Sequence, residues 1–448
     1  MFIQEVALRL IKLFNAVLLT VSFAICWFSY YAERIADPFY YMGNWLVIGL
    51  FFVLYVIFGR VYGGFWISLN RISESVYSQA LAVCMTNGIM YVIICLLMKH
   101  LPNLLPLLAV FAVQIVLSAL WSLGAHIIYY IMFPATKTII VYDERQGMEK
   151  LIREYGFEKK FTVVKTLSVD NCIRNLSLLK NAQTVFVSGV HSHERNVILK
   201  YCVDSGIMMY LIPRIGDVLM SGAQQMHMFH LPMLRVGRYN PSPWHTIAKR
   251  TFDIASAGAL FLVISPLMLV TAIAIKLTDG GPVFYKQRRL TIDGKEFDVL
   301  KFRSMRVDAE KDGVARLSTG DKDDRITPVG HFIRKVRIDE LPQLLNIIGG
   351  SMSVVGPRPE RPEIASQYEK QMPEFKLRLQ AKAGLTGYAQ VYGKYNTTPY
   401  DKLQMDLMYI SNPSFWEDLR IIFATIKILF VPESTEGVAE GQKTAMGE

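Results

Sequence analysis

The sequence predicts a multi-part membrane protein of mixed α and α/β class. Its parts are a four-helix transmembrane bundle, a Rossmann-like α/β domain, an apolar helical segment that re-enters the membrane, and a mostly α domain. Three observations carry this. Four long uncharged runs come first, a stretch of short alternating strands and helices follows, and a fifth apolar run broken at Ser265-Pro266 precedes the most motif-dense part of the chain. With 448 residues, 52% of them hydrophobic, the chain is too long for one domain and too apolar to be wholly soluble.

The four runs cover approximately 13–31, 38–58, 76–98 and 101–133, each long enough to cross a hydrocarbon core. Trp27, Tyr30 and Tyr31 close the first and Tyr40, Tyr41 and Trp45 open the second, as rings at a membrane–water interface would. Arg9 and Lys12 precede the first run, Arg60 and Arg71 follow the second and Lys137 follows the fourth, which puts both ends of the bundle on the cytoplasmic side. No small-residue cleavage pattern marks the start as a removable signal. The net charge of +10 suits an anionic membrane surface and phosphate-bearing substrates. Nucleic acid is excluded as a partner, because no zinc pattern, RNP-like motif or basic recognition helix is present. Cys26, Cys84 and Cys95 lie in apolar runs and Cys172 and Cys202 stand alone, so neither a disulfide framework nor a metal site is read from them.

Between 138 and 237, strands are predicted at 138–142, 161–164, 184–190 and 207–212, with helices at 171–180 and 193–204, the pattern of a small parallel α/β domain. After its first strand, Asp143-Glu144-Arg145-Gln146-Gly147 lacks the glycine fingerprint that admits a pyrophosphate, and two acids there would repel one. His191, His193, His227 and His230 have no organised carboxylate or thiol partners and read as surface histidines. Asn240-Pro241-Ser242-Pro243 reads as a linker, and the polar tail beyond Pro432 reads as disordered.

The fifth run, 254–275, is flanked by Lys249 and Arg250 on one side and by Lys276 on the other. Pro266 removes a backbone donor where hydrocarbon would be deepest. A bent helical hairpin and a kinked full span both answer that problem. Basic residues at both ends favour the hairpin, because they keep both ends on one face.

Charge and motif density rise together over 281–431. Gly281-Pro282-Val283-Phe284-Tyr285-Lys286-Gln287-Arg288-Arg289 brings cations close to lipid phosphates, as a juxtamembrane anchor also would. The strand-like 297–302 leads to Lys301 and Arg303, which project to one face as a phosphate clamp. Thr327-Pro328 starts a helix carrying Arg334 and Arg337 towards Asp339-Glu340-Leu341-Pro342-Gln343, where Pro342 is tolerable only in a first helical turn. By themselves these acids are an N-cap and a first-turn carboxylate. With Lys301, Arg303, Arg334 and Arg358 they read as a site for a phosphate-rich ligand. The prolines around Arg358 in Gly356-Pro357-Arg358-Pro359 fix its backbone and suit bidentate phosphate recognition. Gly384-Leu385-Thr386-Gly387-Tyr388-Ala389-Gln390 offers a glycine-flanked loop for a base or sugar, and 419–431 reads as an apolar helix for the core or the interface.

The ordered set of the Ser265-Pro266 break, Lys301-Phe302-Arg303-Ser304-Met305, Asp339-Glu340-Leu341-Pro342-Gln343 and Pro357-Arg358-Pro359 resembles the large monotopic phosphoglycosyl transferases, the bacterial sugar transferase group that primes exopolysaccharide, capsule or O-antigen units. The resemblance is dense over about 249–431. It implies transfer of a sugar 1-phosphate from a UDP-sugar, of the UDP-glucose or UDP-galactose kind, to undecaprenyl phosphate with release of UMP. It further implies Asp339 as nucleophile, Glu340 as its partner in holding Mg2+, a homodimer, and residence in the bacterial inner membrane with the soluble parts on the cytoplasmic face. The domains then read 1–136 transmembrane bundle, 137–239 α/β domain, 240–280 linker and membrane hairpin, 281–431 catalytic domain and 432–448 tail. Ser351 stands where the family commonly has an aspartate, and Thr291 where smaller members often have glycine. A rival reading is a catalytically degenerate membrane protein of polysaccharide assembly or regulation, against which the intact Asp339-Glu340 pair argues.

Overall fold

The structure is a computed structural model that describes residues 2–40, 42–143, 145–306, 325–393 and 397–429. The chain divides into two compact units, Met1–Ile212 and Pro213–Glu448.

In the first unit the apolar runs form α1 (Phe2–Cys26), α2 (Met42–Val61), α3 (Ile72–Met98) and α4 (Leu105–Met132), with a π-helical turn Trp27–Tyr31 closing α1. All four are long and apolar enough to cross a membrane. They meet through buried amides: Asn15 donates to the Tyr55 hydroxyl at 2.8 Å and to Gln79 Oε1 at 2.9 Å, and Asn87 donates to Gln114 Oε1 at 2.7 Å. Such bonds fix helix register where apolar packing alone is non-directional. Outward residues such as Leu46, Leu96 and Leu120 stay exposed, as lipid-facing positions do. The expected aromatic belt is only partly present. Tyr40 and Trp45 are exposed, and Tyr41 lies outside the described residues. Trp27 and Tyr31 are fully buried, because their polar tips find protein partners, Asn44 Oδ1 at 2.9 Å and the Asn103 carbonyl at 2.8 Å.

The α/β part follows as β1 (Thr136–Tyr142), α5 (Met148–Glu154), β2 (Phe161–Ser168), α6 (Val169–Arg174), β3 (Thr184–Ser188), α7 (Ser192–Asp204) and β4 (Met208–Leu211). The four strands form one parallel sheet in the order β2-β1-β3-β4. Its core holds Ile139, Val141, Val185, Val187, Ile198 and the free thiols of Cys172 and Cys202. The helix expected over 171–180 is shorter. It ends at Arg174, and Asn175 turns the chain into a 3-10 segment by accepting the Ser177 N–H at 3.2 Å, a local bond that competes with helix continuation. Of the two acids after β1, Asp143 lies 3.9 Å from the His191 ring and Glu144 is outside the described residues.

The second unit begins with α8 (Ile215–Ser221) and the antiparallel hairpin β5 (Gln224–Met228) and β6 (Leu231–Arg235). Val218 of α8 packs with Leu403, Leu407 and Ile421 of this unit, so the segment from Pro213, which the sequence reading grouped with the α/β domain up to 239, clusters with the second unit. Then come α9 (Pro243–Asp279), the antiparallel pair β7 (Phe284–Leu290) and β8 (Glu296–Phe302), α10 (Pro328–Lys335), α11 (Gln343–Gly349), β9 (Ser353–Val355), α12 (Pro362–Gln371), β10 (Gly384–Thr386), α13 (Tyr388–Tyr392), α14 (Pro399–Ser411) and α15 (Phe415–Leu429). β9 and β10 pair in parallel. The breaker cluster before α9 is its cap: Ser242 accepts the His245 N–H and Pro243 takes the first helical position.

The run expected to break at Ser265-Pro266 lies within α9. It is one helical element with Pro266 inside. Proline removes the N–H that would bond the Leu262 carbonyl four residues earlier, and the Ser265 hydroxyl donates to that carbonyl at 2.9 Å. The Ser-Pro pair therefore opens the helical ladder and refills it in place, as an apolar setting demands. Leu262, Val263, Leu269, Val270, Ile273 and Leu277 are exposed along α9. Its inner face packs on one body on either side of the proline: Ala257 lies against Val299, Leu344 and Ile347, while Met268 and Ile275 lie against Phe302 and Ile333. The flanking cations are engaged within the protein. Lys249 pairs with Asp418 at 2.6 Å, and Arg250 donates to the Ile347 and Ile348 carbonyls at the end of α11. Lys276 binds the Gly280 carbonyl at 2.6 Å. The tail beyond 432 is outside the described residues.

Candidate active site

Two carboxylates are set beside three structural devices. The first is α10, started by Thr327, whose hydroxyl accepts the Gly330 N–H at 2.9 Å. α10 is stopped by Arg337 in the left-handed region at φ 56°, a conformation rarely adopted without glycine. The reversal feeds a 3-10 turn, Ile338–Glu340, that presents Asp339 and Glu340 directly ahead of α11. The second device is the β7–β8 hairpin, whose last residues deliver Lys301. The third is the Gly356-Pro357-Arg358-Pro359 turn after β9, drawn against β10 by bonds from the Gly356 N–H to the Thr386 carbonyl and from the Gly384 N–H to the Pro357 carbonyl, both at 2.9 Å. Residue 384 must be glycine, since a Cβ there would stand 2.1 Å from the Gly356 nitrogen.

The two acids have unlike surroundings. Glu340 Oε1 accepts from Lys301 Nζ at 3.2 Å and from Arg358 Nη2 at 2.9 Å, and its side chain is 16% exposed. Burial alone would raise its pKa, but the charges of Arg358, Lys301 and Arg337 together outweigh burial and hold Glu340 well below the usual carboxylate range. Among the described residues, Asp339 makes neither an ion pair nor a side-chain hydrogen bond. Burial, then the negative charge of Glu340, push it up to about 6, against the partial pull of Lys301, Arg334 and Arg358. Two adjacent carboxyls, one anchored between two cations and the other not, have the unequal surroundings that divided roles require.

Of the predicted residues, Lys301, Glu340 and Arg358 line one pocket; Asp339 and Arg334 are not in its lining, and Asp339 is tied to it through the charges of Glu340, Lys301, Arg334 and Arg358. Arg303 does not join them. It is buried at the end of β8, where its N–H donates to the Val283 carbonyl at 2.9 Å, and the pocket does not include it. Arg289, Gln343 and Gly384 line the pocket too. Sequence reasoning left Arg289 as a juxtamembrane cation. The period-2 alternation of β7 could have placed Arg289 with Gln287, to whose Oε1 it donates at 2.6 Å. The two unusual positions, Thr291 and Ser351, bond to each other. The Thr291 hydroxyl donates to the Ser351 carbonyl at 3.2 Å and accepts the Ala383 N–H at 3.1 Å, and the Ser351 hydroxyl bonds the Asn346 carbonyl at 3.1 Å. Neither touches the carboxylates.

Among the described residues no group of three or more His, Cys, Asp or Glu side chains could hold a metal ion. Asp339 and Glu340 are a two-carboxylate set of hard oxygen donors. Such a set fits Mg2+, which is commonly bound through one or two carboxylates with the remaining ligands from water and substrate phosphates.

Residues 244–432 match the family model described as bacterial sugar transferase. A UDP-glucose:undecaprenyl-phosphate glucose-1-phosphate transferase of Caulobacter vibrioides is 38% identical over 206 residues, 45% of this chain and 76% of the relative. A UDP-N-acetylgalactosamine-undecaprenyl-phosphate N-acetylgalactosaminephosphotransferase of Aeromonas hydrophila is 38% identical over 234 residues, 52% of this chain and 54% of the relative. A UDP-glucose:undecaprenyl-phosphate glucose-1-phosphate transferase of Xanthomonas campestris pv. campestris is 38% identical over 247 residues, 53% of this chain and 49% of the relative. The matched stretch spans about half the length of the last two relatives.

Proposed function

Because this chain belongs to the bacterial sugar transferase family, we propose that it moves a sugar 1-phosphate from a UDP-sugar to undecaprenyl phosphate and releases UMP, at the first membrane step of exopolysaccharide, capsule or O-antigen synthesis. The observation that carries this reading is the inequality of the two acids. Glu340 is committed to Lys301 and Arg358, while Asp339 next to it makes no ion pair or side-chain hydrogen bond among the described residues. A more basic, uncommitted carboxylate is the better nucleophile, and an anion fixed between cations organises charge.

In the proposed sequence an Asp339 oxygen attacks the sugar-bearing phosphorus. The new aspartyl O–P bond forms as the bond from that phosphorus to the UMP oxygen breaks, and UMP leaves with the electron pair. A phosphate oxygen of the lipid then attacks the same phosphorus, the aspartyl O–P bond breaks, and Asp339 is regenerated. Arg358, half-exposed beside the pocket, and Arg334 hold phosphate oxygens. Lys301 keeps Glu340 anionic. Mg2+, held by Asp339 and Glu340, would supply charge neutralisation of the diphosphate when bound.

Packing of both limbs of α9 on one body supports a re-entrant placement, with the reaction centre at the cytoplasmic face of the inner membrane, where a soluble nucleotide sugar and a lipid head both arrive. α1–α4 would then be four full spans. Glucose and galactose are the sugars this reading takes, and the Aeromonas relative makes the N-acetylated hexose the competitor to assay. A second copy of the chain is the partner, which light scattering of the detergent-solubilised protein measures. The deciding test of the activity is nucleotide release by purified protein given UDP-sugars and undecaprenyl phosphate. UMP is the expected product, and UDP would refute the reading.

A further inference from the structure

The Pro357-Arg358-Pro359 turn has a backbone problem that its sequence cannot solve. Prolines at 357 and 359 contribute no N–H, so the turn cannot close on itself through those residues, and the carbonyls of Arg358 and Pro359 need outside donors. Both are met by guanidinium groups, that of Arg378 buried and that of Arg289 partly so. Arg378 Nη2 donates to the Arg358 carbonyl at 2.9 Å, and Arg289 Nη1 donates to the Pro359 carbonyl at 3.0 Å. Arg378 is itself held by Asp406 of α14, through Nε at 2.9 Å and Nη2 at 2.6 Å, with side chains 6% and 1% exposed. The Arg378 guanidinium also sits 5.0 Å from the centre of the Phe375 ring.

A buried ion pair of this kind is poor evidence of stabilisation, because desolvation offsets the attraction and an apolar pair of similar volume often does as well. Burial raises the pKa of Asp406 in spite of Arg378, so the carboxylate is not at ease there. What an apolar pair could not do is donate to the Arg358 carbonyl. The guanidinium does both tasks at once, its Nη2 reaching the Asp406 carboxylate and that carbonyl while Nε holds the same carboxylate oxygen, whereas a lysine has a single nitrogen on a shorter side chain and cannot keep the Nε contact and the carbonyl bond together.

We propose that Arg378, balanced by Asp406, is a positioning residue for the transfer reaction, and that it acts by fixing the backbone of Arg358 so that its guanidinium faces Glu340 and the substrate diphosphate. This rests on the transferase reading above. The chain of contacts runs from Asp406 through Arg378 to the Arg358 carbonyl, and from the Arg358 guanidinium to Glu340 at 2.9 Å. Displacing a contact group by about 1 Å is enough to cost on the order of 100-fold in rate.

The test is a double-mutant cycle on UMP release, measured under single-turnover conditions with enzyme in excess. Arg378→Lys keeps the charge opposite Asp406 and removes the fork. It is expected to lower kcat/KM by about 10- to 100-fold, with little change in melting temperature. In the Arg358→Ala background the same substitution is expected to change kcat/KM by less than about twofold, since coupled residues are non-additive. Equal losses in both backgrounds would overturn the proposal, because a general structural defect multiplies whatever stands at 358. If Arg378→Lys does not fold, Asp406→Asn carries the same cycle with the same two outcomes. Wild-type protein that releases no UMP would overturn the transferase reading and this inference together, whereas wild-type release with multiplicative losses would overturn this inference alone.

Discussion

Replacing Asp339 by Asn should stabilise the protein while stopping it. The Asp339 carboxyl is raised from an ordinary 3.8 to about 6 by burial and by Glu340, so its ionised form is the one the fold disfavours. A displacement of that size corresponds to about 3 kcal/mol between the two protonation states, which partial exposure and relaxation reduce to about 1–2 kcal/mol. The sign follows from linkage. Below about pH 4 the carboxyl is protonated whether the chain is folded or not, and wild type and variant should be equally stable. Between about 4 and 6 the folded state holds the proton more tightly than the unfolded state, so wild-type stability falls as pH rises. Above 6 the penalty is fully expressed and the neutral isostere escapes it. Melting of detergent-solubilised wild type and Asp339→Asn, without divalent cation, across pH 4–8 should show a gap in Tm that opens with pH to a few degrees. A gap that is absent at pH 8, or that is the same at pH 4 and pH 8, would refute the assignment of Asp339 as the strained acid.

Other consequences are separately measurable. Lys301→Met removes a charged hydrogen bond to Glu340 worth about 1.5–3 kcal/mol, so kcat/KM for UMP release should fall about 10- to 100-fold. A loss under twofold would detach Lys301 from the site. Gly384→Ala should lower Tm and activity together, because its Cβ would meet the Gly356 nitrogen at 2.1 Å and the Thr386 carbonyl at 2.5 Å; an active variant of unchanged Tm would contradict the packing between β10 and the Arg358 turn. Single cysteines placed at Thr246 and Thr278, in a background without the native five, should both react with an impermeant thiol reagent applied to the cytoplasmic face. Labelling of the two sites from opposite faces would mean that α9 crosses the membrane.

What was legible in the sequence follows the range of the interactions involved. The Asp339-Glu340 pair was readable because Pro342 fixes the local backbone, and Arg358 because its prolines do. Lys301 and Arg303 could be put on one face of a strand by alternation, but not told apart. Only the tertiary fold sends Lys301 to Glu340 and buries Arg303. Lys249 and Arg250 looked like membrane anchors since nothing local reveals that Asp418 and the end of α11 wait for them. Arg378 and Asp406 were invisible for the same reason. Trp27 and Tyr31 have the composition of an interfacial belt, yet each found a polar partner on another segment. The β5–β6 hairpin was missed because its turn puts Phe229 and His230 at positive φ, where a reader looks for Asn-Gly. Pro266 removes one donor from the ladder of α9, and the Ser265 hydroxyl that bonds the freed Leu262 carbonyl is a geometric fact beyond composition.

The central claim is most directly tested by catching the phosphosugar on the enzyme. Wild-type protein incubated with UDP-sugar and Mg2+ but without lipid acceptor should release UMP in stoichiometric amount, and digestion with mass spectrometry should find the hexose phosphate on the peptide holding Asp339. Steady turnover with no modified peptide would contradict the account, as would an adduct on any other residue.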